Sequence, residues 1–202
     1  AGATPLYIAC QKGHVECVRL LLRAGATVDL ATPDDGTTPL YVACEKGHAE
    51  CVQLLLGAGA TVDLSMTEDG VTPLFIACQE GQVECVRLLL GAGATVDLAT
   101  TDDGSTPLYY ACQEGHIECV RLLLGAGASV DLATTDIGDT PLFIACEEGH
   151  IACVRLLLGA GASVDFATTD DGDTPLYVAC EKGDAECVQL LLGAGASVDL
   201  AT

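Results

Sequence analysis

Residues Thr101–Thr134 read TDDGSTPLYYACQEGHIECVRLLLGAGASVDLAT, and the rest of the chain consists of near-copies of this stretch laid end to end. The tripeptide Thr-Pro-Leu recurs at Thr4, Thr38, Thr72, Thr106, Thr140 and Thr174, always 34 residues apart, and a fixed period of this size marks a repeat array. Six units follow, at 1–32, 33–66, 67–100, 101–134, 135–168 and 169–202. Within the unit, Thr106 offers a side-chain oxygen to the free N–H groups of a helix start, and Pro107 suits the first helical position because its missing N–H had no intrahelical partner. This first helix runs through Leu108, Tyr109, Tyr110, Ala111 and Cys112 until Gly115, which can take the left-handed conformation that closes a helix. A second helix follows at once. Ile117, Val120, Leu123 and Leu124 recur at three- and four-residue spacing, Glu118 can pair with Arg121, and Gly125 to Gly127 stops the run. The remaining segment, from Asp131 into the Asp-Asp-Gly turn of the next unit, reads as a hairpin finger.

On these residues the chain resembles the ankyrin repeat family, whose Thr-Pro-Leu-His-x-Ala signature stands here as Thr-Pro-Leu-(Tyr/Phe)-x-Ala in all six units. Gly-His followed two residues on by Glu (Gly47, His48, Glu50), then Val-x-Leu-Leu-Leu and Gly-Ala-x-Val, extend the match over essentially the whole chain. The resemblance implies an all-α solenoid of helix-turn-helix repeats with β-hairpin or loop fingers, six stacked 34-residue repeats forming one domain over 1–202. It also implies that fingers and first helices line a concave binding surface. Two departures stand out. Tyr7, Tyr41, Phe75, Tyr109, Phe143 and Tyr177 replace the family's histidine, so its polar link to the threonine is expected to be lost. One residue is also added between the Val-Asp pair and the Asp-Asp-Gly turn, which alters the finger.

A period of this kind predicts an elongated array in which each unit touches only its neighbours, roughly 60 Å long at a helix-packing spacing of about 10 Å. The first unit carries Arg23 where later units have Gly, and neither end replaces interior-type residues such as Leu20, Leu21, Val188, Leu191 and Leu192 by polar ones. Repeat arrays need polar end caps. The chain therefore reads as part of a longer array whose bare ends favour head-to-tail stacking on another copy. No apolar run approaches the length of a membrane span, and no charged-then-apolar leader opens the chain, so no membrane partner is expected. The twelve cysteines fall one at the end of each first helix and one early in each second helix, as in Cys112 and Cys119. Their spacing is not that of short zinc sites, and the resemblance implies buried apolar residues there. All twelve are expected to be unbridged and poorly reactive, a disulfide within each unit being the rival arrangement. Reduced thiols favour a cytoplasmic or nuclear setting.

His14, His48, His116 and His150 form a row, but equivalent positions about 10 Å apart cannot share an ion bound at about 2 Å, and they read as braces of the turn between helices. No nucleophile elbow, zinc-protease motif or phosphate-binding loop occurs, so neither catalysis nor a cofactor is expected. Charge is more informative, with 29 acids against 8 bases. Asp34, Asp35, Glu68, Asp69, Asp102, Asp103, Asp136, Asp139, Asp170, Asp171 and Asp173 lie in or beside the fingers, and Glu45, Glu80, Glu114, Glu147, Glu148 and Glu181 end the first helices. The resemblance places these acids on the concave face. Such a face steers a basic peptide or protein toward it and repels nucleic acid. The residues expected to carry the contact are Glu45, Glu80, Glu114, Glu147, Glu148, Glu181, Asp102, Asp103, Asp139 and Asp173. Calcium binding by the acidic turns is an alternative, although the twelve-residue loop with a distal glutamate is absent. An engineered repeat scaffold is another, opposed by the free thiols a designer avoids.

Overall fold

The computed structural model of the chain describes residues 2–66 and 69–200. Glu68, counted above with the finger acids, and the boundary positions Ala1, Thr67, Ala201 and Thr202 lie outside them. The described residues form helical pairs and no strand: α1 Pro5–Gln11 with α2 Val15–Arg23, α3 Pro39–Glu45 with α4 Ala49–Gly57, α5 Pro73–Gln79 with α6 Val83–Gly91, α7 Pro107–Gln113 with α8 Ile117–Gly125, α9 Pro141–Glu147 with α10 Ile151–Gly159, and α11 Pro175–Lys182 with α12 Ala185–Gly193. This is the all-α architecture of stacked helix-turn-helix repeats. The fingers take the loop form. They are closed by single backbone hydrogen bonds, such as Thr134 N–H to Asp139 O at 3.0 Å, instead of a strand ladder.

Every first helix begins in the same way. The threonine before the proline is extended, and its hydroxyl accepts from the backbone N–H three residues on at 3.1–3.2 Å, from Tyr7, Tyr41, Phe75, Tyr109, Phe143 and Tyr177. The cap thus survives the loss of the family's histidine, because it uses the backbone of the aromatic residue and not its side chain. Tyr7 makes a different link with its hydroxyl, which receives a hydrogen bond from Thr37 Oγ1 of the next repeat at 3.4 Å. A helix of seven residues does not persist alone, so each first helix depends on its neighbours.

The chain divides into two compact units, 1–102 and 103–202. In the first unit α1, α3 and α5 pack side by side in sequence, as do α2, α4 and α6; in the second unit α7, α9 and α11 do the same, and so do α8, α10 and α12. Leu40, Leu55, Leu74 and Leu89 fill the core of the first unit, and Leu108, Leu123, Leu142 and Leu157 that of the second, all essentially without solvent contact. The junctions between repeats within each unit are tied by polar groups at fixed spacings. Asp29 accepts from Thr61 N–H and Oγ1, and Asp63 from Thr95, Asp131 from Ser163 and Asp165 from Ser197 do likewise, with N–H distances of 2.9–3.1 Å. The ring of His48 reaches back to the carbonyl of Gln11 at 3.3 Å, and that of His150 to the carbonyl of Gln113 at 2.9 Å. Gln82 stands in for histidine and donates to the carbonyl of Glu45 at 3.3 Å. The histidines therefore brace one repeat against the preceding one. At Gly13 and Gly115 an added Cβ would meet the imidazole at 2.7 Å, so only glycine permits this approach.

No disulfide joins any of the twelve cysteines, all of which lie among the described residues. The partner of a first-helix thiol lies in the next repeat and not in its own, contrary to the rival disulfide arrangement. Cys44 donates to Cys85 and Cys146 to Cys187; burial and then this bond push Cys44 up, the bond and then burial push Cys146 up, and the bond draws Cys85 and Cys187 down. Cys153 is likewise lowered by Cys112, and burial pushes Cys10, near Cys51, up to about 12. Ten of the thiols are buried, but Cys17 and Cys180 are exposed, which corrects the expectation that all are inaccessible. Their counterparts are covered by a neighbouring repeat. A thiol-reactive chromogen should titrate two groups rapidly in the native protein and all twelve in denaturant, and Cys17→Ser with Cys180→Ser should abolish the fast phase.

Candidate functional site

The finger turns are built in two ways, and the choice follows one position. Asp35 Oδ1 accepts from the Thr32 hydroxyl, from Thr37 N–H at 3.1 Å and from Thr37 Oγ1 at 2.8 Å, and these bonds hold its carboxyl below the usual range. Asp103 makes the same turn, accepting from Ser105 N–H at 3.0 Å and Ser105 Oγ at 2.7 Å. These are Asx turns. In the fifth repeat Asp139 replaces the hydroxyl residue that Thr37 and Ser105 supply, and Thr134 Oγ1 accepts from Asp139 N–H at 3.0 Å instead. The sixth repeat, with Asp173 at that position, follows it although it keeps Asp171, with Thr168 Oγ1 accepting from Asp173 N–H at 3.0 Å. Within each unit successive fingers are joined by one backbone bond, from Thr101 N–H to Asp69 O at 3.0 Å, Thr135 N–H to Asp103 O at 2.7 Å and Thr169 N–H to Ile137 O at 2.8 Å.

The helix-end acids come from a different part of the repeat. Glu80, Glu114 and Glu148 cap the C-termini of α5, α7 and α9, and are exposed; Glu45 and Glu147 are the last residues of α3 and α9, half-buried; Glu181 lies exposed in the last turn of α11. A helix C-terminus carries partial negative charge, so a carboxylate there opposes the macrodipole, and a cation would be the stabilising choice. The second helices follow the favourable rule, with Glu16, Glu50, Glu84, Glu118 and Glu186 in their first turns. Two lysines answer the helix-end acids. Lys46 Nζ is 2.6 Å from Glu45, and Lys182 Nζ is 3.6 Å from Glu147.

Finger acids and helix-end acids lie within electrostatic reach of one another around the aromatic row. Burial, then Glu45, Asp35 and Glu80, push the Tyr41 hydroxyl up to about 12. Burial and then Asp139 raise that of Tyr109, with smaller effects from Tyr110, Glu147 and Asp103; the Tyr109 and Tyr110 rings meet edge to face at 5.6 Å. Asp139 itself is 4 % exposed, and its carboxyl is pushed up to about 6, chiefly by burial and then by Glu147, Asp170 and Asp136. Asp173 is raised as well, by burial and then by Asp171, Glu181 and Asp170.

The ten residues singled out from the sequence therefore fall into distinct classes. Glu80, Glu114, Glu148, Glu181 and Asp102 present carboxylates to solvent, while Asp173, Glu45 and Glu147 are partly covered. Asp103 spends its carboxylate on the turn, and Asp139 is buried. Among the described residues no three His, Cys, Asp or Glu side chains converge as metal ligands, the acidic turns included. The sequence reading passed over Asp29, Asp63, Asp131 and Asp165, which staple successive repeats; the signal was their constant distance of 32 residues to a Thr or Ser. In the fifth repeat Ala152 stands where the other second helices have glutamate, which leaves Arg155 without an in-helix partner. Arg155 Nη2 instead reaches Glu186 of the next repeat at 2.7 Å, whereas Arg19, Arg87 and Arg121 pair with Glu16, Glu84 and Glu118 in their own helices at 3.2–3.5 Å.

Comparison with known proteins agrees with this geometry. A family model described as ankyrin repeats (3 copies) matches residues 1–66, 61–136 and 126–202. Among solved structures, the human ASB11 ankyrin repeat domain superposes with a TM-score of 0.87 at 33% identity, covering 99% of this chain and 87% of that one. The ankyrin repeat domain of Bcl-3, described as a unique member of the IkappaB protein family, superposes with a TM-score of 0.87 at 30% identity, covering 100% and 90%. Among curated proteins, "Probable E3 ubiquitin-protein ligase XBOS32" of Oryza sativa subsp. japonica is 61% identical over 36 residues, and E3 ubiquitin-protein ligase XBAT32 of Arabidopsis thaliana is 53% identical over 36 residues. Those segments make up 18% of this chain and 7% of either relative.

The buried carboxyl of Asp139 sets a pH dependence. Its native value, about 6, lies above that of the unfolded chain, so the native state holds this proton more tightly. The stability it contributes is complete below about pH 4 and is lost as pH rises through about 6. Asp139→Asn should raise the unfolding free energy at pH 7 by up to about 3 kcal/mol and flatten its decline between pH 4 and 6, read from urea titrations at several pH values.

Proposed function

The chain belongs to the ankyrin repeat family, and on that premise we propose that it is a non-catalytic binding module whose partner is a basic peptide or a basic protein surface. Ankyrin repeats generally mediate protein–protein interaction. The contact we assign uses the exposed helix-end acids Glu80, Glu114, Glu148 and Glu181, with Asp102 and the partly covered Asp173, Glu45 and Glu147 beside them. Asp103 and Asp139 support the finger behind that surface.

One observation carries this reading. The helix-end acids oppose the helix dipole, at a cost of about 0.3–1 kcal/mol each, while the second helices of the same repeats place their acids where the dipole favours them. Charge placed only for solubility has no reason to gather at the one helix end where it destabilises. A surface of one sign also speeds encounter with a partner of the other sign, and is at odds with nucleic acid. The two ubiquitin ligases match over about one repeat, so their activity is not carried to this chain. Twelve cysteines without a disulfide among them fit a reducing, intracellular setting.

A displayed library of random peptides should return sequences rich in Lys and Arg, and a selected peptide should bind more weakly as salt rises. The triple variant Glu80→Gln, Glu114→Gln, Glu148→Gln should slow association by several-fold with dissociation little changed, and should unfold at higher denaturant concentration than the parent. Selection of neutral or acidic peptides, or binding indifferent to salt and to the triple variant, would overturn the acidic-surface reading.

A further inference from the structure

In the finger of the fifth repeat one carboxyl group is buried without a structural role. Asp139 is 4% exposed and stands where the second and fourth repeats have the hydroxyls of Thr37 and Ser105. Those hydroxyls donate to Asp35 and Asp103 and so help to close their turns. Asp139 closes its turn with its backbone alone: its N–H donates to Thr134 Oγ1 and its carbonyl accepts from Thr134 N–H, both at 3.0 Å. Among the described residues no N–H or O–H donates to its carboxylate. A buried carboxylate ordinarily accepts hydrogen bonds or pairs with a cation, since either compensates for lost hydration. Here the charged groups that act on it are Glu147 from α9, Asp170 from the finger of the sixth repeat and Asp136 from its own finger, all carboxylates. From α7 it meets the Tyr109 hydroxyl, whose proton burial and then the charge of Asp139 hold more tightly. Lys182 is drawn to Glu147, at 3.6 Å. Among the described residues no polar side-chain atom is both sealed from solvent and unpartnered, so the Asp139 oxygens keep a narrow opening to the surface.

We infer that this opening receives one lysine side chain of the partner, its ammonium seated against Asp139 among Asp136, Glu147 and Asp170. The inference rests on the basic-partner reading above and adds to it the residue that selects what binds. A compact ammonium spreads three donors apart, which suits carboxylates brought from three separate elements, two fingers and α9. The planar fork of a guanidinium instead suits one carboxylate met edge on, and its width suits a narrow opening less well than a four-carbon stem. A cation seated here relieves the like-charge crowding that the free chain bears. It also competes with a proton. In the free chain the Asp139 carboxyl, pushed up to about 6 by burial and then by Glu147, Asp170 and Asp136, is charged above that pH and neutral below it. Affinity is therefore full above about pH 7 and falls as pH drops through 6, about ten-fold between pH 7 and 5, and binding near pH 6 releases a proton.

The test uses the 202-residue chain and N-acetyl hexalysine amide, whose ammonium groups stay charged throughout the range. Affinity is measured by calorimetry from about pH 5 to 7.5 at fixed physiological salt, and carbon-13 shifts follow the Asp139 carboxyl. The affinity should fall about ten-fold from pH 7 to 5, and the peptide should move the Asp139 titration to more acidic pH. Asp139→Asn and Asp139→Ser should each bind several-fold more weakly at pH 7, with a flat pH profile. The serine variant copies the fourth repeat at this position and keeps the turn even if asparagine disturbs it. Hexalysine binding that weakens with salt but is indifferent to pH and to both variants would overturn this inference and leave the basic-partner reading standing, whereas no binding at all would remove both. An equal pH response with hexaarginine would overturn the choice of lysine. Millimolar calcium chloride displacing the Asp139 proton as well as the peptide does would overturn it in favour of an inorganic cation.

Discussion

The junction between repeats is the interaction on which everything else rests. Helices of seven and nine residues are too short to persist in water, and one helical pair has no core of its own. Leu108 and Leu142 are shielded because each first helix lies against the next, and an apolar side chain gains only by such shielding. Apolar packing alone would tolerate sliding, since the leucines of successive repeats are alike. The polar ties remove that freedom: the aspartate staples, the imidazole on a neighbouring carbonyl and the thiol pair each demand one alignment.

Burial, not residue identity, separates the acids of this chain by role. Asp35 and Asp103 are anchored by N–H and hydroxyl donors and shape the turn. Asp139 occupies the position of Thr37 and Ser105, lies inside, and bears its charge at a cost to folding. Glu114 and Glu148 remain in water at the ends of helices that would be better served by lysine. A net charge summed over the chain conceals these three situations.

Helix spans could be read from the sequence because they depend on signals within a few residues: threonine and proline at the start, glycine past the end, apolar residues at helical spacing. The closure of the fingers was less legible. It turns on one position: where Thr37 or Ser105 offers a hydroxyl, the aspartate two residues earlier accepts, and where Asp139 or Asp173 stands there, the threonine five residues earlier accepts instead. Partners across junctions were hidden for another reason. A spacing of 32, 37 or 41 residues says that two positions recur together, but only the rotation between repeats decides which of them meet. Hence the thiols meet between repeats and not within them, and Arg155, with no glutamate in its own helix, meets Glu186 of the next.

The fixed spacing of those ties bears on how such a gene can change length. Unequal recombination that removes or inserts a whole 34-residue period leaves every surviving aspartate staple, imidazole brace and thiol pair with a partner of the same kind. Loss of a single codon between Asp131 and Ser163 would instead shift one half of a junction against the other and strand several donors at once. The reading frame of the fold is thus the repeat, and copy number is the coordinate along which it can drift without injury.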